Sequence, residues 1–187
     1  TGSVGWTSVE GGDGWDVEFD AVNTSTAYVS SGFWSPAPCT RIWRSVDDGV
    51  TWGQGPGTGV EITPWGTTTD QGCYLAPLKA DPSNGGTLYA SGSQNLWQTR
   101  DSGGTWRIIR NTGGTGQIAV APANSNNVAF AIGRDVFVST NALAATVGAP
   151  SGVTFTSITR NLPNRIVTRV AFDPSDPSVI YVVLSGF

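Results

Sequence analysis

The feature that most constrains the fold is a short motif that occurs twice, with the form Ser/Thr-x-Asp-x-Gly-x-Thr-Trp. The first copy runs from Ser45 to Trp52 and the second from Thr99 to Trp106. The two tryptophans, Trp52 and Trp106, lie 54 residues apart, and a motif that returns at such a period is typical of chains built from one repeated supersecondary unit. The motif therefore predicts an array of similar units.

The chemistry of the motif predicts a β-hairpin turn. Each copy follows a short alternating run, Ile42-Trp43-Arg44 or Leu96-Trp97-Gln98, which suits a half-buried strand. The Asp side chain can bond backbone groups two residues on, Gly accepts positive φ, and Thr-Trp restarts a strand. We therefore expect structural rather than catalytic roles for the motif residues, which are Ser45, Asp47, Gly49, Thr51, Trp52, Thr99, Asp101, Gly103, Thr105 and Trp106.

A third copy is present in two parts. Val136 to Asn141 matches the strand and the first half of the motif, with Asn141 at the Asp position. Gly152 to Phe155 matches the second half, with Phe155 at the Trp position. The intervening residues, 142–151, are rich in Ala, Gly and Pro, so we expect a lengthened turn.

A second pattern precedes each hairpin and consists of a strand, an Asp-Pro-type turn and another strand. Its strand pairs are Val17–Asp20 with Tyr28–Ser30, Leu78–Pro82 with Leu88–Ala90, Ile118–Pro122 with Val128–Phe130, and Val170–Pro174 with Val179–Tyr181. With the later hairpin this makes four strands, a to d, in each unit, and no long run has helical periodicity. Four-stranded antiparallel units at this period predict an all-β fold, a β-propeller segment with one blade per unit.

The phase of the repeat predicts a single propeller segment over 1–187. Residues 1–10 match strand d of a preceding blade, and 165–187 match the first half of a further blade. Between them we expect three blades, at 11–56, 71–111 and 115–160. The missing strands would then belong to a longer propeller or come from elsewhere.

Composition excludes several classes of function. The net charge is −4 and Lys79 is the single lysine, whereas nucleic-acid binding needs a basic face. The sequence has no apolar run long enough to span a membrane. Because it has no histidine, it offers no His base or His ligand, and we expect no metal and no cofactor. Few lysines beside many Thr, Ser, Gly and Trp residues favour a secreted protein, extracellular or periplasmic.

The two cysteines, Cys39 and Cys73, fall in predicted loops of adjacent blades. Cys39 lies in a b–c loop and Cys73 where a d–a loop enters the next blade, and those two loop types emerge on one face of a propeller. A disulfide here would contribute about 3–4 kcal/mol on the chain-entropy model. Two unrelated buried thiols are the alternative.

The hairpin motif resembles the Asp-box, also called the BNR repeat, and with its flanking strands the resemblance covers nearly the whole chain. The family includes sialidases, xyloglucanase-type glycoside hydrolases, sortilin-type receptors and photosystem assembly factors. The resemblance implies c–d turns on the face opposite the active centre, so it does not choose among these functions. A sialidase would need a Phe-Arg-Ile-Pro signature and an arginine triad that holds the sialate carboxylate. No such signature occurs in this sequence, which disfavours a sialidase unless blades outside the segment carry part of the site. Gly11-Gly12-Asp13-Gly14 resembles the start of a blade in bacterial BNR proteins described as glycosyl hydrolases.

Any site is expected on the d–a and b–c loops, two of which, Ser31–Thr40 and Gly55–Gly72, are long. Tryptophan faces stack on sugars and carboxylates bond hydroxyls or act as acids and bases. The candidate substrate-binding residues are Trp34, Trp65, Asp70 and Glu61, and the candidate catalytic acid is Asp13. The alternative for Trp34 and Trp65 is that they merely cover each other.

Two functions stay open from the sequence. One is a glycan-binding or glycan-active propeller, similar to xyloglucanases rather than to sialidases, with polysaccharide as its partner and with part of any active site outside this segment. The other is a non-catalytic scaffold that contacts a protein partner or the remaining propeller blades.

Overall fold

The computed structural model describes residues 13–32, 40–52, 60–65, 70, 76–144 and 152–186. These residues form three four-stranded antiparallel sheets, one two-stranded sheet and a single turn of 3-10 helix. In each four-stranded sheet the strands are neighbours in chain order. The prediction of an all-β propeller segment with four-stranded antiparallel blades is confirmed. No helix in the described ranges is long and apolar enough to cross a membrane.

The sheets are numbered as blades 1 to 4 in chain order. Blade 1 contains β1 (Asp13–Phe19), β2 (Ala27–Gly32), β3 (Thr40–Ser45) and β4 (Val60–Glu61). Blade 2 contains β5 (Leu78–Ala80), β6 (Leu88–Ser91), β7 (Asn95–Thr99) and β8 (Trp106–Asn111). Blade 3 contains β9 (Gln117–Ala121), β10 (Asn124–Ile132), β11 (Asp135–Ser139), the 3-10 helix (Ala142–Ala144) and β12 (Thr156–Ser157). Blade 4 contains β13 (Val167–Phe172) and β14 (Ile180–Leu184).

The fourth strand of blade 1 lies later than the sequence predicted. Val60 pairs with Arg44 and Glu61 with Trp43, so the blade continues beyond residue 56 and part of the expected 55–72 loop is a strand. Ile62 extends the pairing, because its amide donates to the Ile42 carbonyl at 2.8 Å. The offset has a physical reason: Val60 and Ile62 supply β-forming side chains that the preceding glycine-rich residues lack.

The hydrophobic core lies between successive blades. Between blades 1 and 2 it contains Tyr28, Ile42, Ile62, Trp65, Leu78, Ala80, Leu88 and Ala90. Between blades 2 and 3 it contains Tyr89, Leu96, Ile109, Ile118, Val120, Val128 and Phe130. Between blades 3 and 4 it contains Ala119, Ala121, Ala129, Ala131, Val136, Val167, Val170 and Phe172. Each fully buried large side chain of this kind contributes about 1.5–3 kcal/mol, so blade-to-blade packing is the main source of stability.

The first copy of the motif is the β3–β4 turn, held by its own side chains. Asp47 accepts hydrogen bonds from the Ser45 hydroxyl (2.7 Å), the Thr51 amide (3.0 Å) and the Thr51 hydroxyl (2.7 Å). The Ser45 hydroxyl also accepts from the Gly49 amide at 3.0 Å. Trp52 donates from its indole to the Gly49 carbonyl at 2.9 Å and so closes the turn.

The second copy repeats this geometry in the β7–β8 turn. Asp101 accepts from the Thr99 hydroxyl (2.7 Å), the Thr105 amide (2.8 Å) and the Thr105 hydroxyl (2.8 Å). Ser102 and Gly103 have positive φ, 56° and 90°. Glycine at the second of these positions avoids the steric cost of that conformation.

The third copy keeps the same bonds although Asn replaces Asp. Asn141 accepts from the Ser139 hydroxyl (3.1 Å) and from the Thr154 amide (2.9 Å). Its amide group also donates to the Gly152 carbonyl at 2.9 Å. The hairpin therefore closes across the long insertion, whose first residues form the 3-10 helix Ala142–Ala144.

The motif turns share one face of the array with the a–b turns. Asp48 donates from its amide to the Ser25 carbonyl at 3.0 Å, and Ser102 likewise to the Gly86 carbonyl at 2.9 Å. We call this side the turn face. The b–c and d–a connections lie at the other ends of the antiparallel strands, on the loop face.

Candidate functional site

Glu61, a candidate substrate-binding residue, lies on β4 and has protein partners for both carboxylate oxygens. One oxygen is 3.3 Å from a guanidinium nitrogen of Arg41, and the other accepts from the Thr63 hydroxyl at 2.8 Å. The Arg41 guanidinium also lies 5.9 Å from the centre of the Trp43 ring. Glu61 therefore belongs to an exposed ion pair on the outer strand of blade 1.

Trp65 lies in the core rather than on the loop surface. Its side chain is 0% exposed, packs between blades 1 and 2, and donates from the indole to the Thr40 carbonyl at 3.0 Å. A ring with this burial presents no face to a sugar, so the structure gives Trp65 a packing role in place of the expected stacking role. The structural reason is that Ile62 continues the pairing with β3 into the core, and Trp65 packs beside it between blades 1 and 2.

Asp70 is also buried, and it anchors the connection between blades 1 and 2. Its carboxylate accepts from the amides of Gln94 (2.5 Å) and Asn95 (3.2 Å), from the Asn95 side chain (2.8 Å) and from the Trp97 indole (2.5 Å). These donors lie on the b–c turn of blade 2 and the start of β7. The bonds occupy both oxygens and fix Asp70 as a structural residue. Only the polar run Gly92-Ser93-Gln94-Asn95 could have indicated this contact from the sequence.

Of the remaining loop-face candidates, the structure describes the position of Asp13 alone. Asp13 begins β1, and its backbone is paired with Gly32, at the loop-face end of the strand. Trp34, Cys39 and Cys73 lie outside the described residues, so the disulfide and the stacking role of Trp34 stay predictions.

A polar cleft lies where the innermost strands of the four blades converge. It has a volume of about 250 Å³ and is lined by parts of β1, β5, β9 and β13. Asp16 and Glu18 line its blade 1 wall, and Gln117 and Arg169 line the opposite wall. Sequence reasoning missed this cleft, although aligning the four a strands would have placed Asp16, Gln117 and Arg169 at equivalent positions.

The two acidic residues of the cleft accept hydrogen bonds from blade 2. Asp16 accepts from the Leu78 amide at 3.0 Å. Glu18 accepts from the Lys79 ammonium at 2.7 Å and the Ala80 amide at 3.2 Å. Burial raises the pKa of Glu18, and the Lys79 ammonium and Ala80 amide offset that effect only in part. A carboxyl with a raised pKa in a cleft can hold a proton closer to neutral pH than an exposed one.

The opposite wall is donor-rich. A guanidinium nitrogen of Arg169 lies 3.4 Å from the side-chain oxygen of Gln117, and Arg169 is exposed. The cleft therefore combines two carboxylates, whose oxygens accept from protein groups, with a guanidinium and an amide in one lining. This arrangement suits a polar ligand rich in hydroxyl groups.

The comparisons with known proteins establish the fold. No protein-family model matches the sequence, and no curated protein is detectably similar to it. The structure is similar to a GH74 enzyme from Niastella koreensis, at 20% identity and a TM-score of 0.66, over 91% of this chain and 26% of that one. It is also similar to a GH74 xyloglucanase from Xanthomonas campestris, at 17% identity and a TM-score of 0.57, over 90% of this chain and 26% of that one.

An ancestral GH74 enzyme is similar at 15% identity and a TM-score of 0.59, over 84% of this chain and 22% of that one. The chain thus spans about a quarter of the length of the enzymes it resembles. At these identities the likeness concerns the fold, which is that of a β-propeller.

Proposed function

We propose that this chain is a segment of a glycan-binding propeller of the glycoside hydrolase type. The observation that carries the proposal is the similarity to GH74 enzymes, one of them a xyloglucanase, over 84–91% of the chain. The polar cleft supports it, since hydroxyl-rich ligands need donors and acceptors at close quarters. We also propose an extracellular or periplasmic location, on the composition given above.

We assign the motif turns to the Asp-box type. All three turns use the side chain at the Asp position to accept from a hydroxyl before it and an amide after it. Because these bonds consume the acceptors of Asp47 and Asp101 on the turn face, ligand binding is assigned to the loop face and the cleft.

The proposed binding residues belong to the loop face and the cleft. Trp34 supplies a stacking surface in the b–c loop of blade 1, and Arg169 supplies hydrogen-bond donors in the cleft. Asp13 is the proposed general acid of any hydrolysis, and a second carboxylate would have to come from outside this segment.

Affinity electrophoresis through gels containing xyloglucan or mixed-linkage glucan tests the proposal. We expect the wild-type chain to be retarded, Trp34→Ala and Arg169→Ala to lose part of that retardation, and Trp52→Ala, on the turn face, to keep it. Circular dichroism establishes that each variant is folded. Wild-type mobility that is unchanged on every glycan would rule the function out. For hydrolysis, the release of reducing sugar should vanish in Asp13→Asn. Release that persists in this variant would show that Asp13 is not the general acid.

A second candidate function is a scaffold for protein contacts. It is favoured by the exposed apolar side chains of β1, since Trp15, Val17 and Phe19 are 50–61% exposed. An apolar patch of this kind suits a contact with a protein partner or with a further propeller blade. Absence of glycan retention, together with a stable complex formed through this patch, would favour the scaffold.

A further inference from the structure

The turn between β5 and β6, on the turn face of blade 2, contains Asn84 followed by Gly85, and both residues are exposed. The backbone of Asn84 is well held, because its amide donates to an Asp81 oxygen at 3.1 Å and its carbonyl accepts from the Thr87 amide at 3.2 Å. Its side-chain amide donates to the other Asp81 oxygen at 3.4 Å, a long contact that holds it weakly. The Asn84 side chain is therefore accessible and only loosely restrained.

The residue after Asn84 is a glycine because blade 1 packs against it. A Cβ added at Gly85 would lie 2.8 Å from the Val22 Cβ and 2.9 Å from an Asp20 oxygen. Neither contact leaves room for a side chain, since one atom belongs to a short, branched residue and the other to a carboxylate held by backbone amides. The contact between blades 1 and 2 thus requires glycine after Asn84.

An asparagine that precedes glycine can react with its own backbone. The nucleophile is the amide nitrogen of the following residue, and glycine has no side chain to hinder its approach to the asparagine side-chain carbonyl. The amides of Asn84, Gly86 and Thr87 all donate to acceptors. No described residue accepts from the Gly85 amide, so no hydrogen bond has to break before this nitrogen reacts.

We propose that Asn84 is a site of spontaneous deamidation, with water as the co-reactant. The Gly85 nitrogen bonds to Cγ of Asn84 and loses its proton to solvent, and ammonia leaves from Cγ. Water then opens the resulting succinimide ring. Hydrolysis of the new bond to Cγ gives aspartate, and hydrolysis of the bond to the main-chain carbonyl carbon gives isoaspartate, in which the backbone runs through the side chain.

The chain carries a matched control in blade 1. Asn23 occupies the equivalent turn between β1 and β2, where its amide donates to an Asp20 oxygen at 2.8 Å and its carbonyl accepts from the Thr26 amide at 2.8 Å. These bonds repeat those of Asn84, but the next residue is Thr24, whose β-branched side chain is stiff and bulky. We therefore expect Asn23 to react more slowly in the same turn geometry.

The two products should differ in their effect on the fold. Blade 4 has Asp176 at the position of Asn84, and its carboxylate accepts from the Ser178 amide at 2.9 Å, so aspartate suits this turn. Isoaspartate adds a carbon to the backbone immediately before the glycines. That addition displaces Gly86, whose amide donates to the Asp20 carboxylate of blade 1 at 2.6 Å. Isoaspartate should therefore weaken the contact between blades 1 and 2.

Peptide mapping by tandem mass spectrometry tests the proposal on the folded chain after incubation at mildly alkaline pH, where more of the attacking nitrogen is deprotonated. The tryptic peptide 80–100 contains Asn84, and the peptide 1–41 contains Asn23. We expect aspartate and isoaspartate to accumulate at Asn84 while Asn23 stays largely intact. Asn84→Gln should abolish the conversion at this position, because glutamine keeps the amide but would have to close a larger ring.

Two results would overturn the site. One is an Asn84 that stays intact in the folded chain while the urea-unfolded chain converts, which would show that the turn protects it. The other is conversion at Asn84 that is no faster than at Asn23. Absence of conversion in both the folded and the unfolded chain likewise overturns it.

Urea denaturation tests the structural consequence separately. Ion exchange isolates the converted protein by its added negative charge, and an isoaspartyl methyltransferase measures its isoaspartate content. The isoaspartate-containing fraction should unfold at a lower urea concentration than Asn84→Asp, which carries the same charge without the added backbone carbon. Equal midpoints would show that the Gly86 contact survives and would overturn the predicted weakening.

Discussion

At the residue scale, the three motif turns show that one side-chain oxygen at the Asp position is the essential feature. Asn141 makes the two bonds that Asp47 and Asp101 make with one of their oxygens, and it uses its amide group for a third. The second carboxylate oxygen of Asp101 adds only the bond from the Thr105 hydroxyl. Substitutions at the Asp position should therefore destabilise the turn to different degrees, according to whether this oxygen is kept.

Asp101→Ala should lower the free energy of unfolding by about 1–2 kcal/mol, because it leaves the Thr105 amide and the Thr99 hydroxyl without their acceptor in a partly exposed turn. Asp101→Asn should cost less than half as much, since the oxygen that receives the amide is kept. Urea denaturation of both variants measures the difference. Equal losses would show that the charge, not the acceptor geometry, holds the turn.

Asp20 should make the stability of the protein depend on pH. Burial raises its pKa, but hydrogen bonds from the amides of Asn23, Gly86 and Val22 outweigh that effect, so its pKa lies below the ordinary value. A depressed carboxyl pKa gives stability that is present above the unfolded-state pKa of about 4 and is lost as the pH falls through the folded-state pKa. We therefore expect the free energy of unfolding to decrease as the pH falls below about 4.

Asp20→Asn should be less stable than the wild type at neutral pH and should lose less stability on acidification. Asp173→Asn is the comparison variant. The pKa of Asp173 is also lowered, by hydrogen bonds from the Ser175 amide and hydroxyl and from the Asp176 amide, but Asp173 has no next blade within the described structure, so the difference between the two variants isolates the Gly86 bond. Urea denaturation at a series of pH values compares the slopes. If the free energy of unfolding falls with acid pH as steeply in Asp20→Asn as in the wild type, Asp20 is not the source of the pH dependence.

At the element scale, the hairpins could be predicted because their bonds are local. In the two full copies, the hydrogen-bond partners of each motif turn lie within four residues of each other. The sequence motif therefore contains all the groups that form the turn. The start of β4 could not be predicted in this way, since it depends on where Val60 and Ile62 meet β3. Among the site candidates, Trp65 and Asp70 have the partners named above 24 to 27 residues away, and sequence alone could not distinguish burial from exposure for them.

The connection between blades 1 and 2 yields a test of the Asp70 anchor. A Cβ added at Gly92 would lie 2.7 Å from one Asp70 oxygen and 2.9 Å from the carboxyl carbon. Gly92→Ala must therefore displace the carboxylate from its donors, and we expect a loss of about 1–3 kcal/mol, as for overpacked cores. Gly14→Ala is the control, because a Cβ there meets no atom within 4 Å. Similar stability of the two variants by thermal denaturation would show that the Asp70 anchor yields easily.

At the scale of the whole molecule, stability is shared between neighbours along a line of blades. Side-chain hydrogen bonds also join neighbouring blades. Arg44 of blade 1 donates to the Ser102 carbonyl of blade 2 at 2.7 Å. Gln98 of blade 2 donates to the Ala142 carbonyl of blade 3 at 3.0 Å. Both donors directly precede a motif, and both acceptors are the fourth residue of the next one. Arrays of this kind have stabilities set by each unit and its nearest neighbours.

Local stability should therefore differ between blades. Blade 2 is packed on both sides, whereas blade 4 has two described strands and exposes Tyr181 and Val183. Local opening costs least where few buried apolar contacts are lost, so amides of β13 and β14 should exchange faster than those of β6 and β7. Hydrogen exchange with mass spectrometry on dilute protein measures the order. If exchange is equally slow in all four blades, the array unfolds as one unit and nearest-neighbour packing does not set local stability. Phe19→Asp, which lies on blade 1, should leave the order of blades 2 and 4 unchanged.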